Sequence, residues 1–224
     1  MHMAEEPAFP YRIDLHVHTR RFSPCAESLD PEQLPRCIAR AGLQGVVITE
    51  HDQLWTTEAV AAMNRSMTAG RIYRGIEVSS RNGHFIVIGL ERLGPLAPGI
   101  SVDALLGYAY QCDAAVIWAH PYLNYGAISQ PLAAEDMPDA IHAVEVFSGV
   151  TRDEHSRQAR SLAERRGWAA VGGSDAHSIG QVGSAYTCFA ELPADEKALA
   201  AAIRQGRCRS ARRLPVRLSG RTAC

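Results

Sequence analysis

The chain predicts an α/β fold of stacked βα units around a parallel sheet or barrel, and three observations carry that expectation. Short apolar runs alternate with stretches of helical period along the whole sequence. Most of the runs are β-branched and continuously apolar, the pattern of a strand covered on both faces. Polar and ionisable residues gather where these runs end, the edge at which parallel α/β folds bind ligands. At 224 residues the length is that of one domain. It is expected to occupy residues 12–224 behind an extension of residues 1–11, with no linker or repeat dividing it.

Taken in order, strands are expected over residues 12–18, 45–49, 72–78, 85–89, 114–119, 143–147, 169–172 and 186–190. Asp30 is placed to cap a helix that opens with Pro31 and closes at Gly42, and Ser101 to cap one ending near Gln111. Further helical stretches run over 57–67, 152–166 and 194–206. Residues 124–138, rich in Gly, Pro and polar side chains, read as a long loop with room for one short helix. Loops of that kind often border a site.

Composition removes several classes of function. A 46% hydrophobic, 21% charged chain is an ordinary globular one, and no run approaches the ~20 apolar residues of a membrane span. The net charge of -1 gives no ground for a general nucleic-acid binder. A local exception lies at the end, where residues 198–224 hold seven arginines and no Asp or Glu; a solvated surface is the simpler account of that Arg-rich segment, about 204–224. The cysteines, Cys25, Cys37, Cys112, Cys188, Cys208 and Cys224, have no CxxC spacing, and the first residues have no signal-peptide core. A reduced cytoplasmic location is the expectation, with the cysteines as small hydrophobes.

The chemistry is carried by histidines and carboxylates at strand ends: Asp14-Leu15-His16-Val17-His18, Glu50-His51-Asp52, Glu77, His84, His120, Glu145 and Asp175-Ala176-His177. His16 and His18 are two apart on a strand, so both imidazoles leave one face and can converge on one ion. A lone HxH pair is weak evidence; its recurrence with His51, Glu77, His84, His120, Asp175 and His177 at other strand ends is not. Crowding these groups without a cation would cost several kcal/mol. Nitrogen and oxygen donors with no cysteine suit zinc, manganese or iron, and eight donors are more than one ion uses.

The segments DLHVHT (14–19), ITEHD (48–52), GIEV (75–78), GHFIVIGL (83–90), WAHPY (118–122), AVEVFSG (143–149) and GGSDAHS (172–178) resemble the PHP (polymerase and histidinol phosphatase) domain family, in the family's order. The resemblance implies a distorted (β/α)7 barrel, TIM-barrel-like, with two or three divalent metal ions at the C-terminal edge of its strands. By that resemblance His16, His18, Glu77 and Asp175 hold one ion, Glu77 bridges to a second completed by His120 and His84, and His51 and His177 serve a third. The sequence departs from the family at the third ion. Relatives often carry Asp or His shortly after the HxHT, whereas here the loop is Arg20-Arg21-Phe22-Ser23-Pro24-Cys25-Ala26-Glu27, and Glu27 is the candidate replacement ligand.

An amidohydrolase barrel, which also opens on HxH, often bridges its ions with a carboxylated lysine. Lys197, the only lysine, lies after every motif, so Glu77 is the candidate bridge. Two ions ~3.5–4 Å apart activate a bridging hydroxide and clamp a phosphate during in-line displacement. Phosphoester hydrolysis is therefore the expected reaction, with Glu77, Asp175 and His177 as the catalytic set and a small-molecule phosphate ester as substrate. No P-loop, dinucleotide fingerprint or GxSxG elbow competes. The rivals are a nucleic-acid exonuclease using the Arg-rich end, and a non-catalytic metal-binding domain.

Around this set, Arg20 and Arg21 are candidates to fork onto the substrate phosphate or are surface arginines. Asp14 and Asp52 either orient imidazoles or cap loops. Glu145 is expected behind the ligands or facing substrate, Arg152 at a helix start, and His142 and His155 in structural places.

Overall fold

The computed structural model describes residues 8–26, 28–123 and 129–213. The chain runs β1 (Tyr11–Val17), α1 (Leu34–Ala41), β2 (Gly45–Ile48), α2 (Thr57–Arg65), β3 (Arg71–Ser80), β4 (Gly83–Ile88), α3 (Val102–Gln111), β5 (Ala115–Trp118), β6 (Ala143–Phe147), α4 (Asp153–Arg166), β7 (Ala169–Gly172), β8 (Ala185–Phe189), α5 (Glu196–Arg204) and β9 (Cys208–Arg212). Local chemistry sets the ends. Ser101 and Thr56 each accept a backbone N–H from the first turn of the helix they precede. Asp30 precedes a single 3-10 turn at Pro31–Gln33 before α1, which closes at Gly42 with φ 67°. No helix is found among the described residues 129–142.

All nine strands form one sheet in the order β7-β6-β5-β4-β3-β2-β1-β8-β9. The sheet is not wholly parallel as the alternating pattern predicts: β3 with β4, β4 with β5, β1 with β8 and β8 with β9 are antiparallel. The β3–β4 hairpin turns through only Arg81 and Asn82, too short for a crossover helix. β9 was not expected, because Cys208-Arg209-Ser210-Ala211-Arg212 has the polarity of a solvated tail. Its arginines lie along the last edge of the sheet, where charge discourages further strand pairing.

The sheet curls into a nearly closed barrel. At the seam, Thr187 Oγ1 of β8 donates to Gly172 O (2.8 Å) and accepts from Gly172 N (2.9 Å), so one side chain substitutes for ladder bonds. Gly172 is required there, since a Cβ would come within 2.7 Å of Tyr186 O. Period-two alternation sorts the strands onto two faces. Val47, Tyr73, Ile86, Ile88, Ala115, Ile117 and Ala143 share the inner cluster, into which α5 inserts Leu199, Ala200 and Ile203. Their neighbours in sequence pack outward, Val87, Val116 and Val144 under α3 and α4 and Val46 and Ile48 under α1 and α2.

One irregularity decides where the first motif points. Asp14 pairs with Val46, but Val17 pairs with Ile48, so β1 carries an extra residue against β2. Ile13 and Leu15 face inward before this bulge and Val17 faces outward after it. The shift brings His16 and His18 to the inner face, with Tyr73, Gly75 and Glu77 of β3.

Candidate metal centre

Glu77 occupies the middle of the inner face, fully buried, and its two oxygens are shared between two groups of imidazoles. Oε1 lies 3.1 Å from His84 Nδ1 and 3.0 Å from His120 Nε2. Oε2 lies 3.3 Å from His16 Nε2, 3.2 Å from His18 Nε2 and 3.0 Å from His51 Nδ1. Asp175 Oδ1 completes the second group, 3.4 Å from His16 Nε2 and 3.2 Å from His18 Nε2. His177 stands beside it, its ring 4.5 Å from that of His18. Donor atoms therefore converge in three sets: His16, His18, Glu77 and Asp175; Glu77, His84 and His120; and His18, His51 and His177.

The antiparallel course of β4 explains how His84 joins them. It sits opposite Ser79 at the start of β4, not at the end of a strand as its place in the sequence suggests, and the hairpin returns it to the edge where β3 finishes. His120 and Asp175 adopt positive φ, 27° and 52°, unusual for residues with a Cβ and concentrated here at the cluster.

The electrostatics are those of a centre awaiting positive charge. Burial pushes a carboxyl up, yet the surrounding imidazoles, His16 first, hold Glu77 well below the carboxylate range, and His16 and His18 hold Asp175 low as well. Burial pushes imidazoles down, but Glu77 and Asp175 outweigh it, leaving His16 well above its ordinary value and His18 and His120 raised. His177 is lowered, by burial and then by the charge of His18.

Three buried atoms nevertheless form no hydrogen bond with any described group: His16 Nε2, His18 Nε2 and Glu77 Oε2. All three point into the space bounded by Asp175. Buried polar atoms are rarely left so, because each costs about 1–3 kcal/mol. A divalent cation accepting nitrogen and oxygen donors fits this gap, and the donor set contains no thiolate. The nearby lysine of an amidohydrolase bridge is absent as expected: Lys197 lies on α5 and donates to Cys112 O.

Known proteins share the sequence pattern in part and the fold over most of the chain. The PHP-associated family profile matches residues 153–208. An uncharacterised protein of Methanocaldococcus jannaschii is 29% identical over 186 residues, 81% of this chain and 71% of its own. PsfC from Pseudomonas syringae superposes with a TM-score of 0.68 at 19% identity, covering 91% of each chain. A two-domain protein from Bacteroides vulgatus, described as containing a predicted PHP-like metal-dependent phosphoesterase, superposes at 0.61 and 19% identity over 90% of this chain and 64% of its own. The lesion-specific endonuclease Q of Pyrococcus furiosus does so at 0.58 and 14% identity over 87% and 56%.

The chain shares the fold of the PHP-like structure, and its residues 153–208 match the PHP-associated profile. Its distorted barrel carries the cluster at one end, and a cavity of about 420 Å³ opens onto it, lined by Cys25, His51, Glu77, His84, His120, Val150, Asp175 and His177. Eight of the nine expected ligand positions of the PHP pattern meet there or directly behind it. The ninth, Glu27, lies outside the described residues.

The surrounding candidates are distributed differently. Glu145 does not line the cavity; Oε1 is 3.2 Å from His16 Nδ1 and Oε2 accepts the His120 backbone N–H at 3.0 Å, so it positions two histidines of the cluster. Asp14 touches no imidazole ring. It accepts N–H groups from Ser174 (2.7 Å), Gly183 (2.8 Å) and His16 (3.2 Å), fixing the loop that presents Asp175, and burial raises its carboxyl to about 6. Asp52 caps β3 by accepting Ser79 N–H at 2.8 Å. Arg20 is ion-paired with Asp30, and both Arg20 and Arg21 line a separate cavity with Asp30, Glu32 and Trp55, so the structure does not bring them to the cluster. Arg152 is the exposed N-cap residue of α4. His142 accepts Val116 N–H and His155 packs near Tyr122, both away from the cluster.

Two residues with no role assigned from sequence stand immediately behind the ligands. Glu50, fully buried, accepts Thr19 N–H (3.1 Å), the Thr19 hydroxyl, Trp55 Nε1–H (3.0 Å) and Ser23 Oγ–H (2.6 Å). Ser23, also fully buried, lies 3.4 Å from His18 Nδ1. A buried Glu directly before His51 was the available signal.

Proposed function

We propose that this chain is a metal-dependent hydrolase of phosphoric esters, acting on a phosphomonoester or small phosphodiester such as a nucleotide or another small metabolite. The observation that carries the proposal is the division of Glu77 between two groups of imidazoles, with a buried nitrogen of each HxH ring forming no hydrogen bond. His16, His18, Glu77 and Asp175 would hold one ion, Glu77, His84 and His120 a second, and His51 and His177 would serve a third. Divalent ions held there would supply a water of lowered pKa and neutralise the charge of a transferring phosphoryl group.

The protein's own groups do the remaining work. Glu145 keeps His16 turned so that Nε2 faces Glu77, and Asp14 holds the Ser174-Asp175 backbone in register. His177 donates Nδ1–H to Asp175 O at 2.9 Å, which leaves its Nε2 with a lone pair. Its lowered pKa favours the neutral ring, so that Nε2 would either serve the third ion or, where that ion is not held, take and return a proton at the leaving oxygen. No lysine or arginine lines the cavity among the described residues, so phosphate charge there would be met by the ions and imidazoles.

The size of the cavity favours a small substrate over a nucleic acid strand. Four of the five described arginines of the C-terminal segment are also engaged: Arg204 with Asp113 (3.0 Å), Arg212 with Asp153 (2.6 Å), Arg213 with Ala41 O (3.2 Å), and Arg209 over Phe9. Residues 214–224 lie outside the described residues. No described helix is long and apolar enough to cross a membrane.

The test is elemental analysis of the purified protein together with hydrolysis of an aryl phosphomonoester and an aryl phosphodiester after zinc or manganese loading. Two or more equivalents with turnover are expected. Less than one equivalent and no turnover under any metal would remove the multinuclear hydrolase and favour a non-catalytic domain.

A further inference from the structure

Ser23 makes three hydrogen-bonding contacts, which use everything a hydroxyl has. Its proton goes to Glu50 Oε2 at 2.6 Å, the shortest of the three and the only one to an obligate acceptor. One lone pair accepts the backbone N–H of His51 at 3.3 Å. The other faces His18 Nδ1 at 3.4 Å. A hydroxyl has one donor and two acceptor sites, so with its proton committed to Glu50 it can only accept from His18. His18 Nδ1 must then carry the hydrogen, and Nε2 is left as the lone-pair nitrogen, 3.2 Å from both Glu77 Oε2 and Asp175 Oδ1.

Glu50 is equally committed. Oε1 accepts Trp55 Nε1–H and the Thr19 hydroxyl, and Oε2 accepts Thr19 N–H and Ser23 Oγ–H. Trp55 Nε1 and Thr19 N are donors that cannot reverse, one on each oxygen. A carboxylate offers only acceptors, so the Ser23 proton goes to Oε2 and the direction of the chain Glu50–Ser23–His18 is set.

We propose that Glu50 and Ser23 form a positioning relay that holds His18 as its Nδ1–H tautomer, with Nε2 turned to Glu77 Oε2 and Asp175 Oδ1 for a cation, and that seats the His51 backbone. His18 and His51 stack at 4.4 Å between ring centroids, and the Ser23 hydroxyl touches both, the ring of one and the backbone of the other. It complements Glu145, which serves His16 directly: the two rings of the HxH pair are each backed by a carboxylate, one without and one with an intervening hydroxyl. The proposal rests on the cluster being a metal centre.

The experiment uses the full chain, labelled with 15N-histidine and loaded with zinc. In the wild type the His18 Nδ1 proton should be visible and protected from exchange, with Nε2 as the metal-bound nitrogen. Ser23→Ala should lose that protection and weaken zinc binding, by chelator competition, by about 10- to 100-fold, and Ser23→Thr, which keeps the hydroxyl, should restore both. If Ser23→Ala fails to fold, Glu50→Gln gives the same readouts, since neither amide orientation satisfies both fixed donors. A wild-type His18 bound through Nδ1, or a folded Ser23→Ala with unchanged affinity and a still protected proton, overturns the relay. Wild-type protein that takes up no metal overturns the metal centre instead, and the two failures are distinguishable.

Discussion

Metal uptake by this cluster should expel protons, and the number can be bounded from the structure. In the metal-free protein His16, His18 and His120 are raised, against the pull of burial, by Glu77 and Asp175, while those carboxyls are held low. The cluster thus pairs up to three imidazolium charges with Glu77 and Asp175. An incoming ion needs neutral imidazole, so up to three protons leave with it. Each displaced proton adds about one decade of apparent affinity per pH unit, about 1.4 kcal/mol, so the slope can approach a thousandfold per unit below the raised pKa values. The sign follows for folding as well. Groups raised in the folded state stabilise it below their unfolded value and lose that contribution as pH climbs through the folded one. The metal-free protein should melt at lower temperature as pH rises through and above neutrality, and the zinc-loaded protein should not follow it. Calorimetric titration in buffers of different ionisation enthalpy counts the protons. A count of zero at pH 7, with affinity flat between pH 6 and 8, would falsify this account of the cluster.

Three further substitutions separate parts of the structure. Gly173→Ala places a Cβ 2.5 Å from the His16 Cβ and 2.8 Å from both His16 N and Glu145 Oε1; it should cost about 1–3 kcal/mol, seen as a lower melting temperature, and reduce bound metal. Val150, 42% exposed at the cavity mouth, changed to Trp should lower kcat/KM for an aryl phosphodiester more than for the monoester while metal content stays constant; equal loss on both would argue against a size limit at the mouth. Arg20→Ala combined with Arg21→Ala should change kcat/KM for the same esters less than about threefold, since both arginines line another cavity and Arg20 is held by Asp30. A large rise in KM would return them to the substrate.

The strands and helices were legible because their signals are local: Ser101, Thr57 and Gly42 mark helix limits, and runs such as residues 143–147 are apolar throughout. The convergence of His16, His18, Glu77, His84, His120, Asp175 and His177 was legible from recurrence and family pattern together. Direction was less so. An apolar run reads alike in either orientation, so the antiparallel β4 was missed, and His84 was expected at a strand end when it begins one. β9 was hidden because an edge strand facing solvent needs no apolar face.

The bulge in β1 shows where sequence reasoning stops and why. Period two places His16 and His18 on a common side, but it cannot say which side, because a one-residue slip exchanges the faces. Continued regularly from Ile13 and Leu15, the alternation would aim both rings under the helices. There, an unpaired imidazole costs free energy and meets no carboxylate. Instead, Asp14 accepts N–H groups from His16, Ser174 and Gly183 around the irregularity, and these bonds offset the ladder bonds interrupted nearby. A carboxylate that touches no imidazole ring thus determines where two of them point. It follows that Asp14→Asn, though nearly isosteric, should disturb the HxH pair, because its amide nitrogen must replace one acceptor facing a backbone N–H. Loss of bound metal with little change in the far-ultraviolet circular dichroism is the expected outcome, and unchanged metal content would show that the bulge holds without Asp14.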